Sequence, residues 1–414
     1  MKQEAQALTE ILLTHQETMI EQLHQWSLIN SGTKHLQGLD KMRGALHAAF
    51  SPIADTIETH ALPEISMINT SGTSVTERCG DLLFIRKRPH LKRRILLSGH
   101  MDTVFDVDHP FQTLRMLDNN TLNGPGVTDM KGGLLVILHA LRAFEQSPFA
   151  ATLGWDVVIN ADEEIGSPAS RLFFDTIASD YQVALVFEPA MTQEGVFAKN
   201  RKGSGKLALI ATGKSAHAGR AFYEGRNAIC YLAEALIAIH ALNHQQKKVT
   251  LNVGHITGGG ALNIVPAHAI ANLDVRISQP EDEHWVRKQL HRIIKKLQRP
   301  DYTLTLHGEF TRPVKRINPA TTRLFHRLKT LGHALGLTLN WTDSGGCCDG
   351  NNLAHHGLAV IDTLGVRGGA IHSADEFILL DSLIERSVLS TLLLLDLAKG
   401  GLEEVSDARQ VIVS

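Results

Sequence analysis

Four clusters of acids and histidines along this chain have types and spacings suited to chemistry, and most follow a short apolar run. In Ser98–Val104 (SGHMDTV), His100 and Asp102 are two apart and point the same way in an extended chain. A carboxylate beside a ligating imidazole orients it and raises its basicity; the plainer reading is a surface His beside a capping Asp. In Asn123–Gly133 (NGPGVTDMKGG) the glycines and proline impose a tight turn, Asp129 follows, and Lys131-Gly132-Gly133 opens a helix. Gly-rich turns at helix starts also bind phosphate. Neither G-x-x-x-x-G-K-[ST] nor G-x-G-x-x-G occurs, however, and an acid at the loop centre repels phosphate. Asp129 therefore reads better as a cation ligand. Asn160–Ser167 (NADEEIGS) carries three consecutive acids, which are costly together unless a cation joins them. Helix capping accounts for Asp162, whereas Glu163 and Glu164 are delivered into one strand-end crevice. Glu188 ends the apolar run VALVF, where an unpaired buried carboxylate is expensive unless it simply reaches solvent. His372 lies in GVRGGAIHSADE and is unremarkable alone, in a chain with 22 histidines. Imidazole with carboxylate and no thiolate suits zinc, with manganese or cobalt as alternatives. The inventory allows two cations sharing one carboxylate, an arrangement that activates water.

These residues need elements to hold them. Arg94–Ser98, Trp155–Asn160, Val183–Phe187 and Leu358–Thr363 are short continuous apolar runs, the pattern of buried strands in a mostly parallel sheet. Ligands bind beyond the carboxyl ends of such strands. A helix is predicted at Gly132–Phe144, giving an α/β layered fold: a mostly parallel mixed sheet flanked by helices. The middle of the chain reads differently. Strands at Leu207–Thr212, Val249–Ile256, Ala269–Ile277 and Tyr302–His307 alternate with helices at Gly225–Asn243 and Glu281–Leu297. That β-α-β-β-α-β order is ferredoxin-like, an inserted α+β domain with joints near Ala190–Gly195 and Thr311–Arg316. The expected division is 1–193 and 312–414 for the first domain and 194–311 for the insertion.

Bulk properties narrow the function. A chain of 414 residues exceeds one ordinary core. A net charge of −2 without a long Lys/Arg run leaves no footprint for nucleic acid or an anionic membrane. Cys79, Cys230, Cys347 and Cys348 form neither a disulfide framework nor a C-x-x-C pair, which fits a reducing compartment. The first twenty residues read as an amphipathic helix, not a signal peptide, and no apolar run reaches membrane-spanning length. A cytoplasmic protein acting on small molecules is expected.

With these motifs in view, the chain resembles the dizinc family of glutamate carboxypeptidase, acetylornithine deacetylase, succinyl-diaminopimelate desuccinylase and aminoacylase. The resemblance spans nearly the whole chain through GHMDTV, GPGVTDMKGG, NADEEIGS, FEPA, GKSAHAGR, GGGALNIVP, DVRI, SGGCCDGNN and GVRGGAIHS. It implies that Asp129 bridges two zinc ions, that His100 and Glu188 complete one site, and that Glu164 and His372 complete the other. It further implies that Asp102 orients His100, that Glu163 is the unligated general base, and that the Asp129–Met130 peptide is cis. The inserted domain would act as lid and homodimer surface. Within it, His217 is similar to the residue that stabilises the oxyanion, commonly across a dimer; otherwise it is a surface His at a helix start. Asn263 resembles a substrate-binding residue, or is an ordinary turn Asn. Arg276 resembles the clamp on the substrate carboxylate, or is a structural partner of Asp274. Lys202 and Arg312 fall near positions that bind an acidic side chain in glutamate carboxypeptidases, and Cys347 and Cys348 are packing thiols. The implied activity is cleavage of the amide of a C-terminal amino acid or N-acyl amino acid. Deacylases such as acetylornithine deacetylase or the desuccinylase are the nearest rivals. A catalytically inactive metal- or amino-acid-binding protein is the rival of another class, which an intact Glu163 argues against.

Overall fold

The computed structural model describes residues 2–410, with side chains as far as Asp407. Two compact units emerge: the first runs to Pro63, over Arg78–Arg201 and from Lys315 onward, and the second takes Glu64–Glu77 and Lys202–Val314. Ten strands build their principal sheets. Those of the first unit are β1 (Thr56–His60), β2 (Leu82–Lys87), β3 (Arg94–His100), β4 (Gly154–Asn160) and β5 (Val183–Val186). The second contributes β6 (Gly203–Thr212), β7 (Thr250–Gly258), β8 (His268–Ile277) and β9 (Thr303–Arg312), and β10 (Ala359–Ile361) returns to the first.

In the first unit the strand order is β1-β2-β4-β3-β5-β10. Strands β4, β3, β5 and β10 are mutually parallel, while β2 runs antiparallel to both β4 and β1. Every residue of β3 and β4 is buried, which explains why they read as unbroken apolar runs. Their register pairs His100 with Asn160, so both strands end at one level. The helix Gly132–Glu145 is buried continuously from Gly132 to Leu141 and packs against the helix Asp381–Asp396. A helix apolar on all sides belongs in the middle of a core. Its start lies so close to β5 that a Cβ on Gly133 would sit 2.1 Å from the Phe187 carbonyl oxygen, next to Glu188. Only glycine permits that approach.

The second unit has the order β7-β8-β6-β9, antiparallel throughout, with the helices Ala228–His240 and Pro280–Leu297 on one face. Alternation along β6 sends Leu207, Leu209 and Ala211 toward Leu232 and Leu290. Ala208 and Ile210, with Ile270, turn to the opposite face and meet Ile68. Ile68 belongs to a hairpin, Ile65–Ile68 with Ser74–Glu77, that joins this unit from far upstream and was not anticipated. The first junction lies at Arg201/Lys202, beyond Ala190–Gly195, because Phe197–Arg201 pairs in parallel with Trp341–Ser344 inside the first unit. Among the described residues no helix is long and apolar enough to cross a membrane.

Candidate metal centre

The carboxyl ends of β3, β4 and β5 deliver several of the first-unit residues singled out in the sequence. His100 closes β3, Glu163 and Glu164 follow β4, and Glu188 follows β5. Asp129 sits in the turn Val127–Lys131, entered through Gly126 at φ +69°, a left-handed conformation that glycine adopts without strain. The Asp129–Met130 peptide is cis. His372 lies on the loop between Gly368–Gly369 and Phe377–Leu379, itself at φ +64°.

Asp129 is the centre of the arrangement. Its Oδ1 is 3.1 Å from His100 Nε2 and its Oδ2 is 3.2 Å from His372 Nε2. Glu188 approaches His100 Nε2 at 3.9 Å, and Glu164 approaches His372 Nε2 at 3.2 Å. One potential ligand atom from each of His100, Asp129 and Glu164 falls within a mutual 4.8 Å, and the same holds for His100, Glu163 and Glu188. Two imidazoles thus flank one shared carboxylate, with Glu188 beside His100 and Glu164 close to both.

Electrostatics show what this crowding costs. Burial pushes Glu164 up to about 8, and the neighbouring Asp129 charge adds to it. Glu188 is pushed well up by burial and then by Glu163. Burial opposes a charged His100, yet hydrogen bonds to Asp102 and Asp129 lift its pKa well above the usual range. His372 is lifted to about 10 by Asp129 and Glu164. Burial also opposes ionisation of Asp129, but His100 and His372 hold its carboxyl well below the ordinary range. So many acids ionise together only when compensating positive charge is present. Protons on the two imidazoles supply it in part, and a divalent cation supplies it better. Nitrogen and carboxylate donors at these spacings fit a hard-to-borderline divalent metal.

Asp102 does more than face His100. The His100 Nδ1 is 2.9 Å from the Asp102 carbonyl oxygen and 3.4 Å from its carboxylate. The carboxylate chiefly accepts from the Thr33 hydroxyl at 2.8 Å and from the amides of Glu163 and Glu164 at 3.3 and 3.2 Å. It thereby ties the end of β3 to the acidic loop after β4. Asp162 accepts from the amides of Ala169 and Ser170, the structural role expected of it. Cys348 is buried and packs with Leu353 and Val360. In the SGGCCDGNN stretch Asp349 accepts from the Asn160 amide at 2.8 Å and the Ser167 hydroxyl at 2.7 Å.

Two buried groups near the site were missed in the sequence. The Glu376 carboxylate accepts three backbone amides of the Asp129 turn, described below. Asp362, at the end of β10, takes a bidentate pair from Arg201 at 2.9 and 3.0 Å and a bond from Lys315 at 2.6 Å. An acid directly after a buried strand was the available signal for Asp362, and it was the same signal used for Glu188.

The remaining candidates lie in the second unit. His217 pairs with Ile264, and the Ala218 amide donates to the Asn263 carbonyl at 2.9 Å, so His217 and Asn263 are neighbours. The His217 Nδ1 accepts from the amides of Gly219 and Arg220 at 3.1 and 3.2 Å. The ring proton therefore resides on Nε2, which is the donor. Arg276 is bidentate to Asp274, at 2.7 and 3.0 Å. Arg312 is buried, and Lys202 opens this unit.

Comparison with known proteins gives a concordant result. Residues 96–396 match the model of peptidase family M20/M25/M40. Carboxypeptidase G2 of Pseudomonas sp. is 26% identical over 387 residues, covering 93% of this chain and 90% of that protein. Acetylornithine deacetylase of Salmonella arizonae is 34% identical over 198 residues, 44% of this chain and 50% of the relative. In fold, a family metallo-carboxypeptidase from Sulfolobus solfataricus superposes with a TM-score of 0.70 at 16% identity, over 92% of this chain and 99% of that one.

Proposed function

Because the chain belongs to peptidase family M20/M25/M40 and is a metal-dependent hydrolase of amide bonds, we propose that it releases a C-terminal amino acid, or deacylates an N-acyl amino acid, using two zinc ions. The observation that carries this reading is the pose of Asp129, whose two oxygens face different imidazoles. His100 and Glu188 would hold one ion and Glu164 and His372 the other, with Asp129 shared; cobalt or manganese would also suit these donors. When bound, the ions polarise the scissile carbonyl and lower the pKa of the attacking water.

The chain's own residues do the rest. Glu163 takes a proton from the water and passes it to the departing amine, and its backbone N–H is held by a hydrogen bond donated to the Asp102 carboxylate. His217 offers its Nε2–H to the developing oxyanion, and Asn263 beside it hydrogen-bonds the substrate. Arg276, its guanidinium plane fixed by Asp274, clamps the free carboxylate.

The length of β6 within the second unit supports a role for a second copy of the chain. Arg276 pairs with Ser204 at one end of β6, and His217 follows Thr212 at the other. Eight residues of strand separate those ends by about 26 Å, several times the span of an amino acid. His217 and Asn263 would therefore serve a substrate clamped by the Arg276 of another copy, in a homodimer. Exposed Ile229, Ile237, Ile256 and Leu262 on this unit support such a contact. None of the four cysteines forms a disulfide among the described residues, which supports a reducing compartment, the cytoplasm.

A panel of N-acetyl, N-succinyl and N-benzoyl amino acids and dipeptides, assayed with zinc, tests the reading and separates peptidase from deacylase. Glu163→Gln should lower kcat by at least about 10²- to 10⁴-fold, the usual share of a general base, while bound zinc stays unchanged. Turnover retained in that variant, or a zinc-loaded chain inert toward the whole panel, would sink it.

A further inference from the structure

Glu376 lies four residues beyond His372 and is fully buried, yet the mechanism above gives it no part. Its Oε2 accepts the Gly126 amide at 3.1 Å, and its Oε1 accepts the amides of Thr128 and Asp129 at 2.9 and 3.0 Å. A carboxylate inserted into three donors of one turn fixes that turn as a rigid cradle. The flanking strands already pair, Phe377 with Asn123 and Ile378 with Leu122, and the Thr128 hydroxyl donates to the Phe377 carbonyl at 2.6 Å. Backbone pairing alone would therefore hold the two segments together. What it does not do is set the rotation of the Asp129 peptide. The Glu376 side chain does, through the Asp129 amide itself.

We propose that Glu376 is a positioning residue that locks the Asp129 turn to the His372 loop, so that the Asp129 carboxylate and the His372 imidazole keep the separation a shared metal requires. The inference rests on reading Asp129 and His372 as metal ligands. Both glutamate oxygens are engaged, so glutamine cannot replace it: one of its ends is an NH₂ group, which would meet an amide N–H. Aspartate keeps the charge but withdraws the carboxylate by one methylene, too short to reach all three amides.

Zinc affinity of the full-length chain, measured by competition with a chromophoric chelator, tests this, with the melting temperature of the metal-free chain recorded alongside. Glu376→Gln and Glu376→Asp should each bind zinc about 10- to 100-fold more weakly, the usual effect of removing a partner that orients a ligand. Activity should recover as zinc is raised. If a folded variant keeps zinc affinity within about twofold of the unaltered chain while its melting temperature falls, Glu376 is only structural and the proposal fails. If the unaltered chain itself binds no zinc, the failure belongs to the metal reading beneath it.

Discussion

At the residue scale, Asp102 decides how firmly the acidic loop is held. Its carboxylate takes the Thr33 hydroxyl and the amides of Glu163 and Glu164, so the candidate base and a candidate ligand hang from one side chain. Asp102→Asn would set an NH₂ group against one of those donors. Effects of this kind reach about 10- to 100-fold in metal affinity or activity. We expect kcat/KM to fall in that range, with zinc held less tightly; kinetics and zinc affinity equal to those of the unaltered chain would refute it. The candidate site positions were legible in the sequence because His100, Glu188 and the pair Glu163-Glu164 each follow an apolar run closely. Their roles came from the resemblance. Glu376 was not legible because it acts through backbone amides of a turn some 250 positions away, and nothing in HSADE separates such a buried acceptor from a surface acid.

At the element scale, the central helix Gly132–Glu145 carries a consequence for pH. His139 lies on it, 2% exposed, with no hydrogen-bond partner for its Nε2 among the described atoms. Burial, then Arg142 and His15, lowers its pKa to about 4. The folded-state pKa lies below the unfolded value, so the group affects stability only as pH falls below about 6.5, where the unfolded chain takes a proton that the folded chain refuses. That linkage removes about 2 kcal/mol between pH 7 and pH 5. His139→Leu should therefore show a smaller drop in melting temperature over that range than the unaltered chain, since the other titrating groups are common to both. Equal drops would show that His139 does not titrate as inferred. The helix itself was legible as GGLLVILHALRAF, whereas the hairpin Ile65–Glu77 was not. Its sequence ISMINTSGTSVTE is half-polar, and only Ile68 meets the small apolar patch of Ala208, Ile210 and Ile270. So slight an apolar signal cannot say which unit a segment will join.

At the scale of the whole molecule, the proposed assembly makes a prediction that no single chain can satisfy. Suppose His217 acts on the substrate held at another copy's Asp129, and Glu163 acts at its own. Glu163→Gln and His217→Ala homodimers would then both be inactive, for different reasons. In a heterodimer of the two, one site combines both lesions and the other has neither. Equal amounts of the variants, unfolded and refolded together, give half heterodimers with one intact site each, so activity should return to about a quarter of the unaltered level. If His217 instead served its own chain, every site in the mixture would carry one lesion and no activity would return. The experiment requires no map of the dimer interface, only a substrate found in the panel. It also bears on Arg276. The length of β6 between Arg276 and the end that leads to His217 argues against both serving one substrate within one chain, so absent complementation would count against one of the two assignments. Asp274 already pairs with Arg276, so the carboxylate clamp would be the assignment to give up first.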